Sequence, residues 1–118
     1  SRHKPCLINM KHNVVTIQPS GVIDAVSGRE LRQAILAAAE TGAAIVLIDC
    51  QAVSFIDSSG LGALVAAFKT VNQAGVKLSF CSINGQIRML FELTSLDRIF
   101  EIFPDPQTLA ASLVDRGD

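Results

Sequence analysis

Ala43-Ala44-Ile45-Val46-Leu47-Ile48 is an unbroken aliphatic run closed by Asp49. A half-buried surface strand alternates apolar with polar residues, whereas this run is apolar on both alternating faces. It predicts a central strand covered on both sides. Its flanks agree. Leu31, Ile35 and Ala38 sit at helical spacing ahead of it, with Gly42 as a stop. Behind it, Leu61, Leu64, Val65, Phe68 and Val71 recur at the period of a helix with one apolar face, the strongest such pattern in the chain, and Gly75 ends it.

The remaining segments extend this alternation. Leu7 to Met10 and Val14 to Ile17 are short apolar runs separated by Lys11-His12-Asn13, which reads as a hairpin, and Ser20-Gly21 closes its second strand. Ser27-Gly28-Arg29-Glu30 has the spacing of a capping box and is expected to open the first helix. Val76, Leu78 and Phe80 alternate as a strand. Asn84 can cap a third helix carrying Ile87, Leu90 and Phe91. Ile99 to Phe103 forms a last strand stopped by Pro104, and Asp105-Pro106 starts a helix that turns Leu109 and Leu113 inward. Strands alternating with helices imply crossover connections, hence an α/β fold: a mixed, mostly parallel sheet with an N-terminal hairpin strand and about four α-helices. The 118 residues suit a single domain spanning 1–118, with 1–5 and 115–118 as flexible tails, large enough to bury a core without staples.

Several functions are disfavoured. A net charge of -1, with Lys and Arg scattered, leaves no footprint for nucleic acid. Cys6, Cys50 and Cys81 contain no paired C-x-x-C spacing, so neither a zinc knuckle nor a redox motif is available; free thiols in a reducing cytoplasm are the simpler expectation. Cys50 and Cys81 border apolar strands and are expected to pack as small hydrophobes. No apolar run approaches the roughly 20 residues that span a bilayer, and Ser1-Arg2-His3-Lys4-Pro5 lacks the apolar centre of a signal peptide. A soluble, cytoplasmic protein without a membrane partner is expected.

Catalytic sets are equally absent. The two histidines, His3 and His12, fall in a terminal tail and a turn, poor places for a triad base. Ile56 stands where a nucleophile elbow on Ser58 would need its first glycine, and Val65 stands where a dinucleotide fingerprint from Gly60 would need its third. There is no Gly-Lys-Ser/Thr, no spacing of metal ligands, and no Trp or Tyr to stack a base. The terminal Arg116-Gly117-Asp118 matches an adhesion tripeptide, but a solvated tail explains it. The chain is therefore expected to be no enzyme and to need no cofactor or metal.

What remains is the junction Asp57-Ser58-Ser59-Gly60. In open α/β sheets the functional crevice lies outside the carboxyl ends of the strands, and this junction is expected there, between the buried strand and the best helix. Ser58 stands at the expected helix start, where its oxygen can accept from first-turn donors, and Asp57 adds favourable negative charge. Gly60 and Gly62 would let the backbone come close to a partner. Local chemistry alone also accommodates a plainer reading, in which Asp57 or Ser58 is an N-cap and Ser59 a bystander.

The run Val53-Ser54-Phe55-Ile56-Asp57-Ser58-Ser59-Gly60-Leu61-Gly62 resembles the core signature of STAS domains, especially stand-alone bacterial anti-sigma-factor antagonists. Ser20-Gly21-Val22-Ile23-Asp24 resembles an early strand-end motif of that family, and the element order follows it from about residue 7 to residue 113. The resemblance implies a STAS-like fold and a partner-switching regulator. It would bind an anti-sigma factor that is also a serine kinase, be inactivated by phosphorylation of Ser58, and be restored by a metal-dependent serine/threonine phosphatase. Asp24, Asp57, Ser58, Ser59, Gly60, Leu61 and Gly62 would form the partner surface. Two alternatives stay open: a STAS subunit or detached domain of a transport or stress-sensing complex, and a small nucleotide- or metabolite-binding module using the helix N-terminus as an anion site.

Overall fold

The computed structural model describes residues 6–11 and 13–115. Strands β1 (Cys6–Lys11), β2 (Val14–Gln18), β4 (Ile45–Asp49), β6 (Lys77–Cys81) and β7 (Glu101–Phe103) form one sheet in the order β1-β2-β4-β6-β7. The β1–β2 pair is antiparallel and the others are parallel. The expected hairpin edge and parallel body are both present. His3, His12, the tail 1–5 and Arg116-Gly117-Asp118 lie outside the described residues.

The central run behaves as its composition requires: all of β4 is buried. Val46 and Ile48 face one side of the sheet with Val15, Ile17, Leu78 and Phe80, where three helices cover them: α1 (Ala25–Glu40), α2 (Ser58–Gln73) and α3 (Gly85–Leu93). Ile45 and Leu47 face the other side with Val14 and Cys81, against Leu109 and Leu113 of α4 (Pro106–Asp115). Gly42 and Gly75 end α1 and α2 with φ of 91° and 81°, the left-handed conformation that a glycine adopts without a Cβ penalty.

Five sequence expectations change. The first helix begins at Ala25 and not behind Ser27. The chain adds two short strands, β3 (Gly21–Ile23) and β5 (Val53–Ile56), which pair in parallel as a separate two-stranded ribbon. Gly21 thus opens a strand, β2 having ended at Gln18. Before β7, Leu96–Arg98 form a 3-10 turn, so the last strand is shorter than Ile99 to Phe103. At the C-terminus Asp115 belongs to α4 and not to a tail.

Candidate functional site

The β3–β5 ribbon delivers two helices side by side. Gly21 adopts φ of 74° and its N–H donates to the Ala52 carbonyl at 2.9 Å, which starts the pairing. The registers then run Val22 to Phe55 and Ile23 to Ile56. Ile23 and Ile56 are both 1% exposed in the core, so Val22 and Phe55 face outward, at 49% and 44% exposure. The Asp57 N–H closes the ribbon on the Ile23 carbonyl at 3.1 Å. Asp24 and Asp57 are therefore the residues that leave two neighbouring strand ends, and each begins a helix. Asp57-Ser58 follows this ribbon and not the buried strand β4 directly.

Both aspartates are helix caps. The Asp24 carboxylate accepts from the N–H groups of Val26 and Ser27, both at 3.0 Å. In return the Ser27 hydroxyl accepts from the Asp24 N–H at 2.9 Å and donates to the Val22 carbonyl at 2.9 Å. This is a reciprocal capping box, but with Asp24 as N-cap and Ser27 three positions in; Glu30 takes no part. The Ser27–Glu30 spacing matched the pattern, yet the ribbon holds the chain extended up to Asp24 and so sets the earlier start. In α2 the Asp57 carboxylate accepts from the Gly60 N–H at 2.8 Å, so Asp57 is the N-cap and Ser58 the first helical residue. Ser58 is thereby released from capping. Ser58 and Ser59 are exposed, and no side-chain partner meets either hydroxyl among the described residues.

The glycines divide. Gly60 is buried: a Cβ there would run into the backbone of Ile23, and one on Gly28 would come within 3.2 Å of the Gly60 Cα. Gly60 therefore lets α2 approach β3 and α1, a packing role within the fold that the sequence reading did not assign to it. Gly62 is exposed, with nothing within 4 Å of a Cβ, and is the glycine open to an incoming surface. Leu61 is half-buried and packs on the core, presenting only part of itself. Asp24 and Asp57 are half-buried beside the exposed serines.

Hydrogen bonds hold the Asp24 carboxyl below the usual carboxylate range, first the backbone N–H of Ser27 and then its hydroxyl. The cap remains ionised at neutral pH. The buried cysteines run the other way. Burial pushes Cys50 strongly upward and Cys81 to about 12, with Cys81 and Asp49 reinforcing the former and Asp49 the latter. Among the described residues no group of three His, Cys, Asp or Glu is placed to hold a metal ion, and no helix is long and apolar enough to cross a membrane. The outward pair Val22–Phe55 was missed by the sequence reading. Its signal was the β-branched and aromatic pairs Val22-Ile23 and Phe55-Ile56, apolar runs too short to register as strands.

The comparisons with known proteins agree with this geometry. Residues 7–109 match the family model described as STAS domain. The anti-sigma-B factor antagonist of Bacillus subtilis (strain 168) is 33% identical over 95 residues, covering 80% of this chain and 86% of that protein. The crystal structure of an anti-sigma factor antagonist from Mycobacterium paratuberculosis superposes with a TM-score of 0.78 at 26% identity, covering 92% of each chain. The solved structure of the Bacillus cell fate determinant SpoIIAA in the phosphorylated form superposes with a TM-score of 0.70 at 18% identity, over 92% of this chain and 98% of that one, a likeness of fold alone. A family match across most of the chain, and a curated relative aligned over most of both lengths, leave one assignment: this chain belongs to the STAS domain family.

Proposed function

We propose that this chain is an anti-sigma-factor antagonist, a regulator and not an enzyme, that works in the cytoplasm by partner switching. Unmodified, it binds an anti-sigma factor with serine kinase activity through Asp24, Asp57, Ser58, Ser59 and Gly62. Phosphorylation of Ser58 by that kinase ends the contact, and a metal-dependent serine/threonine phosphatase restores it. The observation that carries this reading is the division of labour at α2: Asp57 takes the cap, leaving the Ser58 hydroxyl exposed at the first helical position. The names of the relatives and the phosphorylated form of SpoIIAA support it.

The chemistry is compatible with a switch that leaves the fold intact. A phosphate brings about -1.5 to -2 charges at neutral pH. At the start of α2 the helix dipole favours an anion by about 0.3–1 kcal/mol, while Asp57 already occupies the Gly60 N–H and repels the newcomer. Folding stability changes little. A partner closed over Ser58 would instead meet added bulk, two fixed carboxylates and a dianion to desolvate. The test is incubation with a kinase-type anti-sigma factor and ATP, followed by peptide mass spectrometry. Phosphate on Ser58 is expected; a tight complex with no modification, or modification elsewhere, contradicts the reading.

A further inference from the structure

One edge of β5 pairs with β3, and among the described residues no strand meets the other. The first turn of α3 takes that place. The Gln86 side-chain amide accepts from the Ile56 N–H at 3.0 Å through Oε1 and donates to the Ile56 carbonyl at 2.9 Å through Nε2. Two residues before Gln86, Asn84 caps the helix by accepting from the Ile87 N–H at 3.0 Å. Its Nδ2 meanwhile points at the Ser54 carbonyl at 3.1 Å and the Val53 carbonyl at 3.3 Å. A glutamine amide carries a donor and an acceptor side by side, as one residue of a strand does, and here it satisfies both backbone groups of Ile56. Ile56 is buried, so neither group has a substitute in solvent.

We propose that Gln86 is a positioning residue for the Ser58 switch, and this rests on the function proposed above. Ile56 immediately precedes Asp57. Its backbone is gripped between the Gln86 amide on one side and, through the next residue's bond from Asp57 N–H to the Ile23 carbonyl, β3 on the other. The entry angle of the chain into Asp57-Ser58 is thus determined from α3, by a half-buried side chain bonded to the residue two before the exposed serine. An interface that must fit Ser58 closely is sensitive to small displacements of that loop. Glu at this position keeps the shape but, when ionised, accepts only, leaving the Ile56 carbonyl facing a carboxylate; Met keeps the length and loses both bonds.

The test compares Gln86→Met and Gln86→Glu with Leu113→Ala, which loosens α4 on the opposite face of the sheet without touching β5. Three quantities are measured: hydrogen exchange at the Ile56 amide, backbone amide shifts from Asp57 to Gly60, and phosphorylation kinetics with the kinase-type partner. Gln86→Met, which loses the acceptor of the Ile56 N–H, is expected to speed Ile56 exchange at least about tenfold, and both Gln86 variants are expected to move the Asp57–Gly60 resonances. KM for this protein as substrate should rise about tenfold, with turnover within about twofold. Leu113→Ala, at a comparable loss of thermal midpoint, should leave KM and those shifts as in the wild type. Unchanged Ile56 exchange in Gln86→Met, unmoved Asp57–Gly60 shifts in both Gln86 variants, or an equal KM effect in Leu113→Ala overturns the proposal. If the wild-type protein is no kinase substrate, the functional reading fails, and exchange and shifts at residues 56–60 still decide whether Gln86 positions the loop. Should Gln86→Met not fold, Gln86→Glu, which keeps the bond from the Ile56 N–H and loses the one to the Ile56 carbonyl, decides the proposal through the Asp57–Gly60 shifts and KM.

Discussion

The backbone of Gly60 lies against the carbonyl of Ile23: a Cβ built on Gly60 would overlap the Ile23 oxygen and stand 2.7 Å from its carbonyl carbon. Only the absence of a side chain lets α2 start this close to β3. Gly60→Ala must push helix and ribbon apart, and overpacking of this kind costs about 1–3 kcal/mol. Urea denaturation followed by circular dichroism should show a lower midpoint, whereas Gly62→Ala, which meets open space, should be neutral or slightly stabilising. Equal stability of the two variants would contradict the packing role.

In the proposed function Ser58 carries the switch, yet it bears little of the fold, because it neither caps nor packs. Ser58→Asp is expected to retain native circular dichroism while its affinity for the kinase-type partner falls about a thousandfold, equivalent to about 4 kcal/mol. Ser58→Ala should bind and resist modification. Calorimetric titration of both against the partner checks this, and unimpaired binding by folded Ser58→Asp would count decisively against it.

The Asp24 cap links stability to pH. Its carboxyl is lowered in the folded protein relative to about 3.9 in an unfolded chain, so the folded state binds the proton less readily. The stability it contributes is fully present above about pH 5 and is lost as pH falls through the lowered folded value. Asn also caps well but does not titrate. Denaturation midpoints measured between pH 6 and pH 2 should therefore fall less steeply for Asp24→Asn than for the wild type. Asp105, whose carboxyl is lowered by Thr108, titrates alike in both proteins. Parallel curves would remove the linkage.

Cys50 and Cys81 should be inert towards thiol reagents in the native state. Both are buried, and with Cys81 raised to about 12 only about one molecule in ten thousand carries its thiolate at pH 8. In a Cys6→Ser background, labelling by an aromatic disulfide at pH 8 should proceed at the rate of unfolding and accelerate sharply in urea. Rapid stoichiometric labelling of the folded protein would show that either thiol is accessible.

Much of the architecture is local in origin and was legible. The run from Ala43 to Ile48 had to be interior, because neither of its faces can meet water without exposing aliphatic surface, and β4 is buried throughout. Gly42, Gly75 and Asn84 mark helix ends through backbone conformation and capping, which depend on a few neighbouring residues. The site resisted in its details. Ser27-Gly28-Arg29-Glu30 and Asp24-Ala25-Val26-Ser27 both fit a cap, and a competition between two local patterns has no local answer. The pairing of β3 with β5 decides it, by holding Ile23 extended beside Ile56. Likewise, Asp57 and Ser58 are each competent caps, and Asp57 takes the role because its N–H is already fastened to the Ile23 carbonyl.

By itself, then, the sequence determined the alternating elements, the doubly covered strand and the segment in which an aspartate and two serines precede an amphipathic helix, since these follow from periodicity and side-chain chemistry within a few residues. Tertiary structure alone decided what each member of that segment does. Thirty-odd residues separate Ile23 from Ile56 and Ile56 from Gln86, and only contact across those distances makes Gly60 an internal spacer, Asp57 the cap and Ser58 the exposed hydroxyl.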